Sequence, residues 1–250
     1  MDLTLLEIAY LAAVALVTAV FHSVAAFSGG LLLAIFIAPV VGVKETVPVV
    51  SVALMISQAA RIFVFRDAVV WPVYRTITAV SFPCLVLGIL LYIKLPVNAV
   101  ALLLGVFLLA MLPVRRYMAG RRIVVGSMGL RLLAVPYGVI SGTAFGVGLL
   151  LGPFLLGAGI FGEALVATVS ALGFTVNLTK TVMFGVSPLM TQELFLSGML
   201  LGAVTIPGHY MGRWIVRHTP LRVHTGLIEA IIFAGGCYFI WQASRGLGWI

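Results

Sequence analysis

The 250-residue sequence predicts an all-α polytopic membrane protein, with about eight transmembrane helices plus two broken, re-entrant hairpins in an inverted repeat. Three observations predict it. The chain is 62% hydrophobic and only 9% charged, with a mean hydropathy of +1.23, whereas a soluble domain carries about 25% charged residues. Two apolar runs are too long for one helix and are interrupted by glycine and proline. The basic residues gather between apolar segments instead of on a soluble face.

Apolar segments cover roughly 5–43, 46–66, 76–93, 97–113, 132–160, 163–184, 193–211 and 223–242. A helix of about 20 residues crosses a hydrocarbon core of about 30 Å. Runs such as AVALLLGVFLLAMLP are apolar all round, which excludes the alternating strands of a membrane barrel. The run 5–43 is expected to break at Ser28-Gly29-Gly30, and again near Pro39 and Gly42. The run 132–160 is expected to break at Gly146 and Gly148, then at Gly152-Pro153, then at Gly157 and Gly159. Glycine admits non-helical dihedrals and proline lacks a backbone donor. Each run therefore reads as a membrane helix followed by a short returning helix. The start, MDLTLLEIAY, carries Asp2 and Glu7 and no basic n-region, so the first span is expected to be retained.

The net charge of +8 does not imply nucleic acid. The basic residues read as topology signals and as contacts to anionic lipid headgroups. Arg115, Arg116, Arg121, Arg122 and Arg131 assign the stretch 113–131 to the cytoplasm. If each long run enters and leaves on one side, Arg61, Arg66, Arg75, Arg213, Arg217 and Arg222 fall there too, making 11 of the 15 lysines and arginines. A first repeat (1–112) would then begin outside. A second, inverted repeat (132–250) would begin inside, after the basic cytoplasmic linker 113–131.

The string AFSGGLLL at 26–33 returns as AFGVGLLL at 144–151, 118 positions later. At that offset Phe27 matches Phe145, Gly30 matches Gly148, Glu45 matches Glu163 and Ser57 matches Thr175. After a one-residue shift, Gln58 and Arg61 match Asn177 and Lys180. Polar and basic residues are rare inside membrane helices, so this last match weighs more than the leucines. Interrupted helices in corresponding halves point to the binding site of a secondary transporter. A helix that stops in mid-membrane offers unpaired N–H groups and a positive dipole end to an anion. It must face protein or a water-filled cavity rather than lipid.

The candidate substrate-binding residues follow. Ser28, Gly29, Gly30, Gly146 and Gly148 form the breaks, and Ser141 and Thr143 flank the second one. Ser57, Gln58, Thr175 and Asn177 are polar ligands on the next helices, with Arg61 and Lys180 as cations at the two entrances. The structural alternatives are snorkelling for the cations and interhelical hydrogen bonds for the others. His22 and Glu229 are proton-coupling candidates; His22 also reads as a hydrogen-bonded interior residue. Glu45 and Glu163 read as first-turn acids on helix dipoles. Cys84 and Cys237 read as small buried hydrophobes. No cofactor or metal is expected. There is no G-x-S-x-G and no H-E-x-x-H, and the glycine strings lack the strand–turn–helix setting of a dinucleotide site. An enzyme is therefore disfavoured.

The pattern resembles the TauE/SafE family, the sulfite exporters. The resemblance rests on AFSGGLLLAIFIAP followed by Glu45 and the Gln58/Arg61 helix, then on GTAFGVGLLLGPFLLGAG followed by Glu163 and NLTK. It covers nearly the whole chain. Only Gly29-Gly30 and Gly146-x-Gly148 stand where the family often has a longer glycine cluster. The resemblance implies export of sulfite or a small organosulfur anion, such as a sulfonate, across the bacterial inner membrane. The partners expected are a small anion, the lipid bilayer and, as a candidate coupling ion, the proton. The alternatives are a passive channel for small anions or neutral solutes, and a membrane assembly subunit.

Overall fold

A computed structural model describes residues 5–24, 29–119, 124–216 and 221–248. Among these the chain is helical, with no strand. The α-helices are α1 (Leu5–Val24), α2 (Gly29–Val41), α3 (Val43–Phe65), α4 (Trp71–Lys94), α5 (Val97–Ala119), α6 (Ser127–Thr143), α7 (Gly148–Gly157), α8 (Gly162–Gly185), α9 (Gln192–Val216) and α10 (Leu221–Gly246). A short 3₁₀ turn, Arg66–Ala68, joins α3 to α4. Four helical stretches among the described residues are long and apolar enough to cross a membrane: Val43–Phe63, Trp71–Lys94, Val97–Met118 and Gly162–Gly185. Ala9–Val20 and Gly30–Val41 are shorter apolar helices.

Both long runs divide in two. The first yields α1 and α2, and the second α6 and α7. Gly42 (φ 98°) separates α2 from α3, and Gly159 (φ 83°) follows α7. The break expected near Pro39 and Gly42 falls at Gly42, and the one expected at Gly152-Pro153 does not occur, since both prolines lie within helices. A proline inside a membrane helix is tolerated where neighbours re-satisfy the freed backbone groups. Helix extends into the stretch 113–131 from both sides. α5 carries Arg116 in its last turn and α6 already includes Arg131.

The hairpins double back. Tyr10 Oη donates to the Phe36 carbonyl (3.1 Å), setting α1 beside α2. Val125 N–H donates to the Gly157 carbonyl (3.1 Å). The start of α6 and the end of α7 therefore share one end of the bundle. Between the halves, α1 packs on α9, α4 on α6, α3 on α8 and α5 on α10. Exchanging α1–α5 for α6–α10 in order maps each of these pairs onto one of the others or onto itself. α5 and α10 run antiparallel and are tied at both ends: Asn98 Nδ2 donates to Gly246 O (2.7 Å), and Arg116 Nη2 to Glu229 Oε2 (2.5 Å). α4 and α6 approach closely through glycine. A Cβ on Gly142 would lie 2.7 Å from the Gly88 carbonyl carbon. Small residues let backbones meet in this way in membranes.

Candidate functional site

The break between α6 and α7 comprises residues 144–147. Ala144, in extended backbone, caps α6. Gly146 sits at φ +71°, a region that L side chains enter only at a cost of about 1–2 kcal/mol. It is also packed shut. A Cβ there would meet Leu31 Cδ1 at 2.6 Å. Across the same contact, a Cβ on Gly30 would lie 3.5 Å from Phe145 Cβ. The two twin strings of the sequence thus touch each other.

Beside this contact lies a cavity of about 60 Å³. α2 and α3 supply Gly30, Leu54 and Gln58, and α6 supplies Tyr137 and Ser141. The break and α7 supply Ala144 to Gly148. α8 contributes Val169, Gly173, Val176, Asn177 and Lys180, at helical spacing along one face.

Lys180 dominates the chemistry. Its side chain is 2% exposed, so it does not snorkel. Nζ donates to the Ala144 carbonyl (2.7 Å) and stands 5.9 Å from the Phe145 ring centroid. The carbonyl belongs to the C-terminal end of α6, where a helix dipole favours a cation. Among the described residues no carboxylate pairs with this ammonium. A buried charge is costly unless paired and hydrogen-bonded.

Gln58 is the second polar anchor. It is 9% exposed, its amide packs on Gly173, and its Oε1 has no hydrogen-bond partner among the described residues. Asn177 Nδ2 is turned onto its own helix, donating to Gly173 O (2.8 Å). At the start of α7, the first-turn N–H groups of an α-helix lack intrahelical acceptors, and Val147, its N-cap, offers no side-chain cap.

Of the sequence-predicted residues, Gly30, Gln58, Ser141, Gly146, Gly148, Asn177 and Lys180 come together here. Gly29 opens α2. Ser28 and the side chain of His22 lie outside the described residues. Ser57 is buried and Arg61 half-buried, but neither lines the cavity. Thr143 is buried with its hydroxyl on Ile140 O (3.2 Å). Thr175 faces away too, its hydroxyl on Ala171 O (3.1 Å) and against Tyr74 Oη (2.8 Å). Glu229 is ion-paired with Arg116 at the last turn of α5 and does not line the cavity. Glu45 and Glu163 occupy first turns, as expected. Cys84 is half-buried and Cys237 exposed, so the buried reading fails for Cys237. Sequence reasoning missed Tyr137 and Phe145, aromatics in a chain full of them.

The family model described as "Sulfite exporter TauE/SafE" matches residues 11–239. The chain belongs to the TauE/SafE sulfite exporter family. The match spans both breaks and every residue around the cavity. Comparison with curated proteins and with solved structures gave no match. Membership in the TauE/SafE family implies transport of a small anion across a membrane. Family and apolar helices together make this an integral membrane protein.

Proposed function

We propose that the chain is a secondary carrier that exports sulfite, or a small organosulfur anion such as a sulfonate, across the bacterial inner membrane by alternating access. One observation carries this reading: the fully buried Lys180 ammonium, which among the described residues has no carboxylate partner, in a cavity that also holds a Gln58 oxygen with no hydrogen-bond partner among them. An oxyanion would supply the missing counter-charge. It would accept from Lys180 and from the backbone donors at the start of α7, and a protonated anion or bound water would satisfy Gln58 Oε1. The exchange symmetry of the helix pairs supports an inverted repeat, residues 1–112 against 132–250, whose hairpins enter from opposite faces. Inverted repeats around a midplane site are the usual frame for alternating access.

Reconstituted protein tests it. Sulfite-loaded proteoliposomes should show saturable counterflow of labelled sulfite, and detergent-solubilised protein should gain thermal stability with sulfite by mass action. Single-channel conductance instead of counterflow would replace the carrier with a passive channel. Cysteine labelling should find position 118 on the cytoplasmic side and position 188 on the other; both on one side would defeat the inverted topology.

A further inference from the structure

On α4, Tyr74, Thr78 and Ser81 recur at i, i+4 and i+7, so they share one helical face. On α8, Thr168 and Thr175 stand seven residues apart on the face toward α4. One hydrogen bond joins the stripes, between Tyr74 Oη and Thr175 Oγ1 (2.8 Å), and just before α4 the Val70 N–H donates to Thr168 Oγ1 (3.0 Å). The seam widens into a second void of about 10 Å³ beside Thr78, Ser81 and Thr175, room for about one water. Thr78 Oγ1 is buried there without a hydrogen-bond partner among the described residues. Tyr137 and Val176 line both this void and the main cavity. The Tyr137 side chain, 6% exposed, thus borders both compartments together with Val176.

Structural hydroxyls in membrane helices ordinarily bond back to their own helix or across to a neighbour. Thr78 does neither, and it borders a void rather than packed side chains. Each compartment thus holds one unsatisfied polar atom, Gln58 Oε1 on one side of Tyr137 and Thr78 Oγ1 on the other. From Thr78 the hydroxyl face continues to Tyr74, one turn closer to the bundle end that carries Arg66 and the start of α4.

We propose that the α4–α8 seam is the route by which the anion reaches Lys180 from that end, with Tyr137 as its gate. Hydroxyls suit the task, since each can donate to an oxyanion without holding it as a cation would. The void admits about one water as it stands, so the seam is closed here. Because α4 is locked to α6 through glycine contacts, the seam opens by α8 parting from the α4–α6 pair. The proposal rests on the carrier reading for the identity of its cargo, but not for the existence of the route.

Two experiments on the full reconstituted chain test it. In a Cys84→Ala, Cys237→Ala background, Thr78→Cys should react with a membrane-impermeant thiosulfonate added at the face bearing Arg66, and not at the opposite face. No reaction from the Arg66 face overturns the route, whether or not sulfite is carried. Thr78→Val should slow sulfite counterflow at least tenfold while sulfite binding, read by thermal shift, stays within twofold; Thr78→Ser should restore the flux. Tyr137→Ala should let sulfite leak without exchange, while Tyr137→Phe, which keeps the ring, stays tight. Wild-type flux in Thr78→Val, or a tight Tyr137→Ala, refutes the gate. Labelling at Thr78→Cys with no sulfite counterflow in the parent chain keeps the route and overturns the sulfite reading instead.

Discussion

Replacing Lys180 by methionine keeps the length and the apolar stem of the side chain and removes its charge. Two effects oppose each other in the empty protein. The cost of holding a desolvated ammonium disappears, and replacing a buried charge with an apolar group of similar volume is often neutral or stabilising. Against this, the Ala144 carbonyl loses its 2.7 Å donor, an unpaired buried group worth about 1–3 kcal/mol. The expected net change in unliganded stability is within about 2 kcal/mol of zero, on those two magnitudes. Binding has no such compensation. A unit charge about 4 Å from an anion, at an effective dielectric near 20, contributes about 4 kcal/mol; a charge-assisted hydrogen bond alone contributes about 1.5–3 kcal/mol. Sulfite affinity should therefore fall roughly ten- to sevenhundredfold, at about 1.4 kcal/mol per decade. The assay is thermal stabilisation across a sulfite titration, with counterflow as the functional readout. Unchanged sulfite affinity in a folded Lys180→Met protein would refute the assignment. So would a collapse in unliganded stability, because Lys180 would then be holding the fold and not the anion.

Gln58→Leu should leave unliganded stability equal or improved, since it removes an oxygen that has no partner, while sulfite affinity drops about tenfold; a marked loss of melting temperature would show that the amide is a structural bond. Gly146→Ala should destabilise by more than the roughly 1–2 kcal/mol of its positive φ, because the new Cβ also meets Leu31; adding Leu31→Ala should recover the packing part and leave the backbone part, measurable as a double-mutant cycle by thermal melting. Glu229→Gln should leave the flux and its pH profile unchanged, because Glu229 is engaged with Arg116 away from the cavity; a flattened pH profile would restore it as a proton carrier.

The two broken runs and the twin glycine strings were readable because breaking a helix inside a membrane takes residues of unusual backbone behaviour, and few types can do it. The prolines misled in the opposite direction. Pro39 and Pro153 sit in α2 and α7 without ending them, since proline in a membrane helix is only as disruptive as its neighbours permit. Which side chains reach the cavity was less legible, because it depends on helix rotation. Asn177 lines it while Thr175, two positions away and so about 200° around the helix, faces Tyr74. Likewise Ser141 lines it and Thr143 does not. Arg61, matched with Lys180 in the repeat, does not line the cavity that Lys180 enters: equal spacing along two sequences does not set equal depth or facing once α3 and α8 pack. The hydroxyl stripe on α4 carries a clear i, i+4, i+7 signature, but serine and threonine are too common in membrane helices for that signature to stand out before the facing residues of α8 are known.

The contact of Leu31 with Gly146 also says something about how the protein comes into being. The first half of the chain supplies the wall against which the second half's bend at Gly146 is pressed, and Lys180 arrives later still. A ribosome that has delivered only the first five helices to the membrane has made no cavity at all, and α2 must wait beside lipid or a chaperone for the partner that will cover it. The site thus forms only once elements of both halves have entered the membrane. Co-expression of the two halves as separate polypeptides would recover binding only to the extent that they find each other in the bilayer.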